Sequence, residues 1–146
     1  MDPIAMLHSD HQKFLNLFSQ IENTSHDIPE QRRELYLRLE LILTIHMLSE
    51  ERIFYKDLLN KQDVADIIRK SYESHHFVDV ATHELKTIPY GSEKWLPKFQ
   101  AIRDNILAHM AEEENYVFPK LREILPATEL LTLGEKMLAY REVLLH

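Results

Sequence analysis

The chain of 146 residues contains no cysteine, which excludes disulfides, thiol catalysis, iron–sulfur clusters and every zinc site built on thiolates. Two glycines and six prolines, against an average usage of the pair near about 12%, leave too little material for a glycine-rich phosphate loop. Positive charge is also short: 17 Lys and Arg face 24 Asp and Glu, a formal charge of −7. That is the wrong sign for gripping phosphate backbones, so no nucleic acid partner is expected. No run approaches the ~20 apolar residues of a membrane span. The opening MDPIAMLHSDH has neither the basic region nor the apolar core of a signal peptide. These absences give an expectation of one domain, cytoplasmic, with no membrane partner. A chain of this size buries roughly 70% of its unfolded surface, enough for a single core.

What is abundant is histidine, with nine residues at 8, 11, 26, 46, 75, 76, 83, 109 and 146. Their placement follows from the helical pattern. Asp2-Pro3 is a cap followed by proline at the first helical position, and Ile4, Leu7, Phe14, Phe18 and Ile21 recur at helical spacing to about residue 23. After the turn formers Asn23 to Pro29, a second periodic stretch runs from Pro29 to about Leu59. Asp63 caps a third, Val64 to Ile88, which Pro89-Tyr90-Gly91-Ser92 closes. A fourth spans Glu93 to Leu125, with Pro97 near its start and Pro119 as a kink or break, and Pro126 stops it. Thr128 then caps a shorter amphipathic segment to about Leu145, read as a fifth helix packed outside the others. No strand pattern competes. The expected fold is all-α: an up-down-up-down antiparallel four-helix bundle with a short additional C-terminal helix.

A polar residue on a core-facing stripe is either paired or functional. Each long helix breaks its apolar stripe with a histidine near mid-length, and two of them add a glutamate four residues on. The stripes read Ile4, Leu7, His11, Phe14, Phe18, Ile21; Leu35, Leu39, Ile42, His46, Glu50, Ile53; Ile68, Ser71, His75, Val78, Thr82, Leu85; and Phe99, Ile102, Ile106, His109, Glu113, Tyr116. At about 1.5 Å per residue, His46 and His75 lie at the same height above the connection between their helices, and His11 and His109 fall within roughly two turns of it. A residue at i+4 is rotated by only ~40°, so His46 with Glu50, and His109 with Glu113, address one point. Imidazoles and carboxylates ligate iron, zinc and manganese, and buried carboxylates without a cation carry a large desolvation cost. This many donors exceeds the needs of one metal, which implies a dinuclear centre bridged by Glu50 and Glu113.

Competing motifs fail. Ferritin-like di-iron proteins need ExxH on two helices, and only Glu73 with His76 fits. The HExxH zinc-protease signature breaks after His83-Glu84. On the third helix His76 adjoins His75 and with His83 forms an alternative face, but the stripe of His75 is the more apolar. His8, His26 and His146 are expected at the surface, and Glu51, Glu112 and Glu114 on a solvated face, with Glu51 or Glu114 as a substitute ligand if the register differs by one. Phe14, Phe18, Phe54 and Tyr116 read as core aromatics. Tyr116, seven residues after His109, also lines the pocket and donates a hydrogen bond to a bound ligand.

From about His8 to Leu125 the sequence resembles the hemerythrin-like HHE cation-binding family. Asp10-His11 is similar to the opening DH of that family. His46-Met47-Leu48-Ser49-Glu50-Glu51 and His109-Met110-Ala111-Glu112-Glu113-Glu114 are similar to its two HxxxEE motifs, the second followed at the usual distance by Pro119. Glu73-Ser74-His75 is similar to the EEH of its third helix. The resemblance implies a non-haem centre of two iron ions, oxo- or hydroxo-bridged, held by His11, His46, Glu50, His75, His109 and Glu113, with an open position for dioxygen or another small diatomic ligand. Zinc or manganese would suit the same donors. Oxygen carriers of the family have a second histidine where this chain has Asp79, which either ligates as a carboxylate or turns away to leave an extra open site. Where the first HxxxEE motif normally ends in proline, this chain has Lys56.

Three functions follow as expectations. The leading one is a non-enzymatic di-iron protein that binds or senses dioxygen. The second is an enzyme acting on nitric oxide or peroxide, or repairing iron centres, although the cysteine-containing segment of the repair proteins is missing. The third is iron storage or iron-responsive regulation, for which the sequence offers no motif for a protein partner.

Overall fold

The structure, a computed structural model, describes residues 2–146, and every regular element among them is helical. Helix α1 (Pro3–Glu22) starts as the sequence indicates, with the Asp2 carboxylate accepting the Ile4 N–H at 3.0 Å. The second rod is three segments in line: α2 (Pro29–Ser49), a π-helical turn π1 (Glu50–Phe54) and α3 (Tyr55–Leu58). The third is α4 (Gln62–Leu85). The fourth is again composite: α5 (Trp95–Glu112), π2 (Glu113–Val117) and α6 (Phe118–Ile124). The last is α7 (Ala127–Leu145).

Two expected caps are displaced. Asp63 sits in the first turn of α4 rather than ahead of it, and Thr128 lies inside α7 behind Pro126, whose extended backbone starts that helix. Pro119 does not break the fourth rod. The π turn comes first, with the Phe118 N–H bonded to Glu113 O, five residues back. Pro119 follows directly as the second residue of α6, and the rod continues through it.

Apolar burial divides the interior into two clusters. One joins Phe14, Phe18, Leu39, Leu43, Val78, Leu85, Phe99 and Ile106. The other joins the start of α1 (Ile4, Leu7), the end of the second rod (Phe54, Leu58), the start of α4 (Val64, Ile68) and the end of the fourth rod (Val117, Leu121). Beginnings packed on ends mean that successive rods run in opposite directions. Between the clusters lies a polar layer, in which His11, His46, Ser49, Glu50, Ser71, His75, His109 and Glu113 are all buried.

The end of the bundle remote from α7 is closed by Arg32, which is buried and donates to Thr24 Oγ1, Thr24 O and Tyr90 O while lying 5.0 Å over the Trp95 ring. At the other end α7 packs against α1, α2 and π1, burying Leu133 and Met137 in the second cluster. No helix among the described residues is long and apolar enough to cross a membrane.

Candidate metal centre

The polar layer is built at the points where two helices change their winding. Glu50 opens π1 and Glu113 opens π2, each four residues after a histidine that points the same way. A π turn inserts one extra residue, so everything beyond it is rotated by about 100° from the position an α-helical count assigns. The stripe therefore moves on by one residue. Phe54 and Tyr55 are buried where Ile53 was expected, and Val117 and Phe118 are buried where Tyr116 was expected.

Six side chains from four rods meet here, in two trios. His11, His46 and Glu113 form one, and Glu50, His75 and His109 the other; within each, the donor atoms lie within 4.8 Å of one another. The glutamates connect the trios. Glu50 Oε1 lies 2.9 Å from His46 Nε2 and 3.3 Å from His75 Nε2. Glu113 Oε1 lies 3.2 Å from His11 Nε2 and 3.4 Å from His109 Nε2. His75 and His109 face each other through their Nε2 atoms at 3.2 Å. Two donors about 2.1 Å from one cation, at tetrahedral or octahedral angles, stand about 3.0 to 3.4 Å apart; four of these spacings, from 3.2 to 3.4 Å, fall in that range, while Glu50 Oε1 stands closer to His46 Nε2 at 2.9 Å and farther from His109 Nε2 at 3.9 Å.

Hydrogen-bond accounting gives the same answer. Both oxygens of Glu50, Glu113 Oε1 and His11 Nε2 are buried without a hydrogen-bond partner. Each such group costs about 1–3 kcal/mol, more when charged, unless something satisfies it. The donor set fits a pair of divalent cations.

The imidazoles are oriented from behind. Asp10 Oδ2 takes the Nδ1 of His46 at 2.7 Å, Glu114 Oε1 takes that of His11 at 2.8 Å, and Glu51 Oε1 takes that of His75 at 3.2 Å. These carboxylates fix the tautomer with Nε2 turned inward. Glu51 and Glu114 stay partly exposed, at 28% and 31%, and each, directly after a buried glutamate, reaches round to the histidine of a neighbouring rod. Glu112, exposed to a similar degree, pairs instead with Lys70 at 2.6 Å.

Without a cation, protons balance the layer. Burial opposes protonation of His46, yet the nearby charge of Glu50 and the hydrogen bond to Asp10 outweigh it and carry the imidazole up to about 10. His75 is carried to about 9 against burial by Glu50 and Glu51. His11 is raised by Glu113 and Glu114. Glu50 is held well below the usual carboxylate range despite burial, chiefly by His46, whereas burial and the charge of Glu50 push Glu113 up.

Tyr55 completes the inner wall and was not legible by helical counting. Its hydroxyl donates to Glu113 Oε2 at 3.0 Å and lies 3.1 Å from His109 Nε2, and burial with the two glutamate charges raises it well above the usual phenol range. No sequence cue marked it, because adjacent buried pairs such as Leu17-Phe18 and Val64-Ala65 also occur in the regular α-helices. Phe118 holds the matching place in the fourth rod, five residues after Glu113, and stacks on His11 with ring centroids 5.9 Å apart.

Two expected site residues lie elsewhere. Asp79 is exposed, because the buried face of α4 runs through His75, Val78 and Ala81 and leaves position 79 to solvent. Tyr116 is 66% exposed, turned out by π2. On α4, His75 points inward while His76 and His83 are exposed. His8 is exposed and bonds Glu114 at 2.8 Å.

A family model described as the Hemerythrin HHE cation binding domain matches residues 2–121. Among solved structures, the chain is similar to the crystal structure of a hemerythrin HHE cation binding domain-containing protein from Mycobacterium kansasii, with 25% identity and a TM-score of 0.85 over 99% of this chain and 90% of that one. No curated protein matches the sequence significantly.

Proposed function

The chain belongs to the hemerythrin HHE cation-binding family, and from that premise we propose that it holds a dinuclear non-haem iron centre and uses it to bind or sense dioxygen or a related small molecule. The observation that carries this reading is the placement of Glu50 and Glu113, each within 3.4 Å of a histidine from both trios. A carboxylate so placed has one task that neither trio alone would require, which is to bridge. Bound iron would supply a redox-active site with a position open to a diatomic ligand.

The residues around the centre support a small ligand. Phe14, Leu43, Met47, Val78, Ile106 and Met110 line a void of about 10 Å³ against His46, His75 and His109. That is room for about one water-sized molecule, in apolar walls. From the outside, a cleft of about 340 Å³ between α4 and α5 reaches His109 past Ser74, Phe77 and Asn105.

Tyr55 favours a second reading, an enzyme acting on peroxide or nitric oxide. Its buried hydroxyl stands within hydrogen-bond reach of Glu113 and His109 and stays protonated, so it is placed to donate a hydrogen bond to such a ligand.

The first test is elemental analysis of protein purified without chelator or added metal. Two irons per chain are expected. Reduced, iron-loaded protein should then change its visible absorption on exposure to air. No change would overturn oxygen binding, and turnover of peroxide or nitric oxide above the rate of free iron would select the enzyme.

A further inference from the structure

Of the three carboxylates behind the imidazoles, Glu51 and Glu114 each directly follow a bridging glutamate on the same rod. Asp10 is different. It comes from α1 and serves a histidine of α2, and it is itself gripped from outside the four rods by Arg141 of α7. Arg141 Nη2 lies 2.6 Å from Asp10 Oδ2, the same oxygen that receives His46, and Nη1 lies 3.2 Å from Oδ1. Its Nε donates to Ser49 Oγ at 3.0 Å, and Ser49 is buried directly before Glu50. One planar guanidinium thus joins α1 beside His11 to α2 between His46 and Glu50. Both members of the pair are largely shielded, at 15% and 13% side-chain exposure, where a forked charge-assisted contact is geometrically demanding and a lysine would not reproduce it.

We propose that α7 is part of the metal centre, with Arg141 as a positioning residue that fixes the Asp10 carboxylate and thereby orients His46. The family model ends at residue 121, so nothing in the family match assigns a role to position 141. The proposal rests on the metal site described above. Removal of Arg141 frees Asp10 to rotate, loosens the His46 ring and unties α1 from α2, so the cost falls on metal affinity rather than on packing alone.

The test uses the full chain and zinc, which is diamagnetic and suits the same donors. Affinity is measured by chelator competition, and the Nδ1–H resonance of His46 by NMR on zinc-loaded protein. Arg141→Met keeps the aliphatic stem and is expected to weaken zinc binding about 10- to 100-fold, with the His46 resonance shifted or exchange-broadened. Arg141→Lys keeps the charge without the fork and is expected to fall between. Leu133→Ala, which loosens α7 away from the pair, is expected to lower the Tm while leaving affinity within about twofold and the His46 resonance in place.

Wild-type affinity and an unmoved resonance in Arg141→Met overturn the proposal. So does a Leu133→Ala protein that reproduces the affinity loss, since docking alone would then explain it. If Arg141→Met does not fold, Arg141→Lys decides by the same two readings. Failure of the wild-type chain to bind zinc or iron would sink the metal-site reading itself, and is seen before any variant is made.

Discussion

The Tyr55 hydroxyl donates to Glu113 Oε2 at 3.0 Å across the bundle, a contact that exists because the rod carrying Tyr55 widens at Glu50. Replacing Tyr55 by Phe keeps the ring in the second apolar cluster and strands a buried carboxylate oxygen. Urea unfolding of the metal-free protein should show a loss of about 1–3 kcal/mol. Tyr116→Phe, at an exposed site, should stay within about 0.5 kcal/mol. Equal effects would mean that the register shift at the π turns is not there in solution.

The third-helix ligand can be read from stoichiometry. His75→Ala removes an inward donor and should reduce bound metal from two to one or none per chain. His76→Ala and Asp79→Ala alter exposed residues and should leave the count unchanged. Elemental analysis after anaerobic iron loading decides, and a loss of metal in the Asp79 variant would restore the carboxylate reading of that position.

The pH dependence of the metal-free protein has a definite sign. His46 and His75 are raised to about 10 and about 9 from an ordinary 6.5. Their protonation stabilises the fold fully below about pH 6.5, and that contribution drains away as pH climbs through 9 and 10. Calorimetry should show the metal-free Tm falling from pH 7 to 10. Metal needs neutral imidazoles and releases protons on binding, so the increment in Tm that metal provides should grow over the same range. A flat metal-free Tm would contradict the assigned protonation.

Glu113→Gln separates the cost of the site from its use. Glu113 is raised by burial and by the charge of Glu50, so the neutral amide relieves repulsion in the metal-free protein. The metal-free Tm should hold or rise by a few degrees, while metal content drops below two per chain. A variant that loses stability without metal would show that Glu113 is held mainly by structural hydrogen bonds.

Much of this centre was written in the sequence. Helical periodicity put His11, His46, Glu50, His75, His109 and Glu113 on four core-facing stripes, and the heights of those stripes brought them into one layer. This works because an α-helix has a fixed rise and angle per residue, so a polar residue on an apolar stripe is located by counting. Counting also preferred His75 over His76, and marked off the fifth helix as an outer element.

Tertiary structure decided what counting cannot reach. At Glu50 and Glu113 the windings expand by one residue, and beyond those points every count is off by about 100°. That is why Tyr55 replaces Tyr116 at the centre. The adjacent pairs Phe54-Tyr55 and Val117-Phe118 did not mark it, since such pairs are also buried along the regular α-helices. Asp79 was left between ligating and turning away, and the path of the buried face along α4 puts it at the surface. Contacts between elements far apart in the chain, Glu51 and Glu114 behind their imidazoles and Arg141 on Asp10, were invisible for a plainer reason. A charged residue on an amphipathic helix looks alike in sequence whether it faces water or a buried partner, and only the packing of one helix on another tells the two apart.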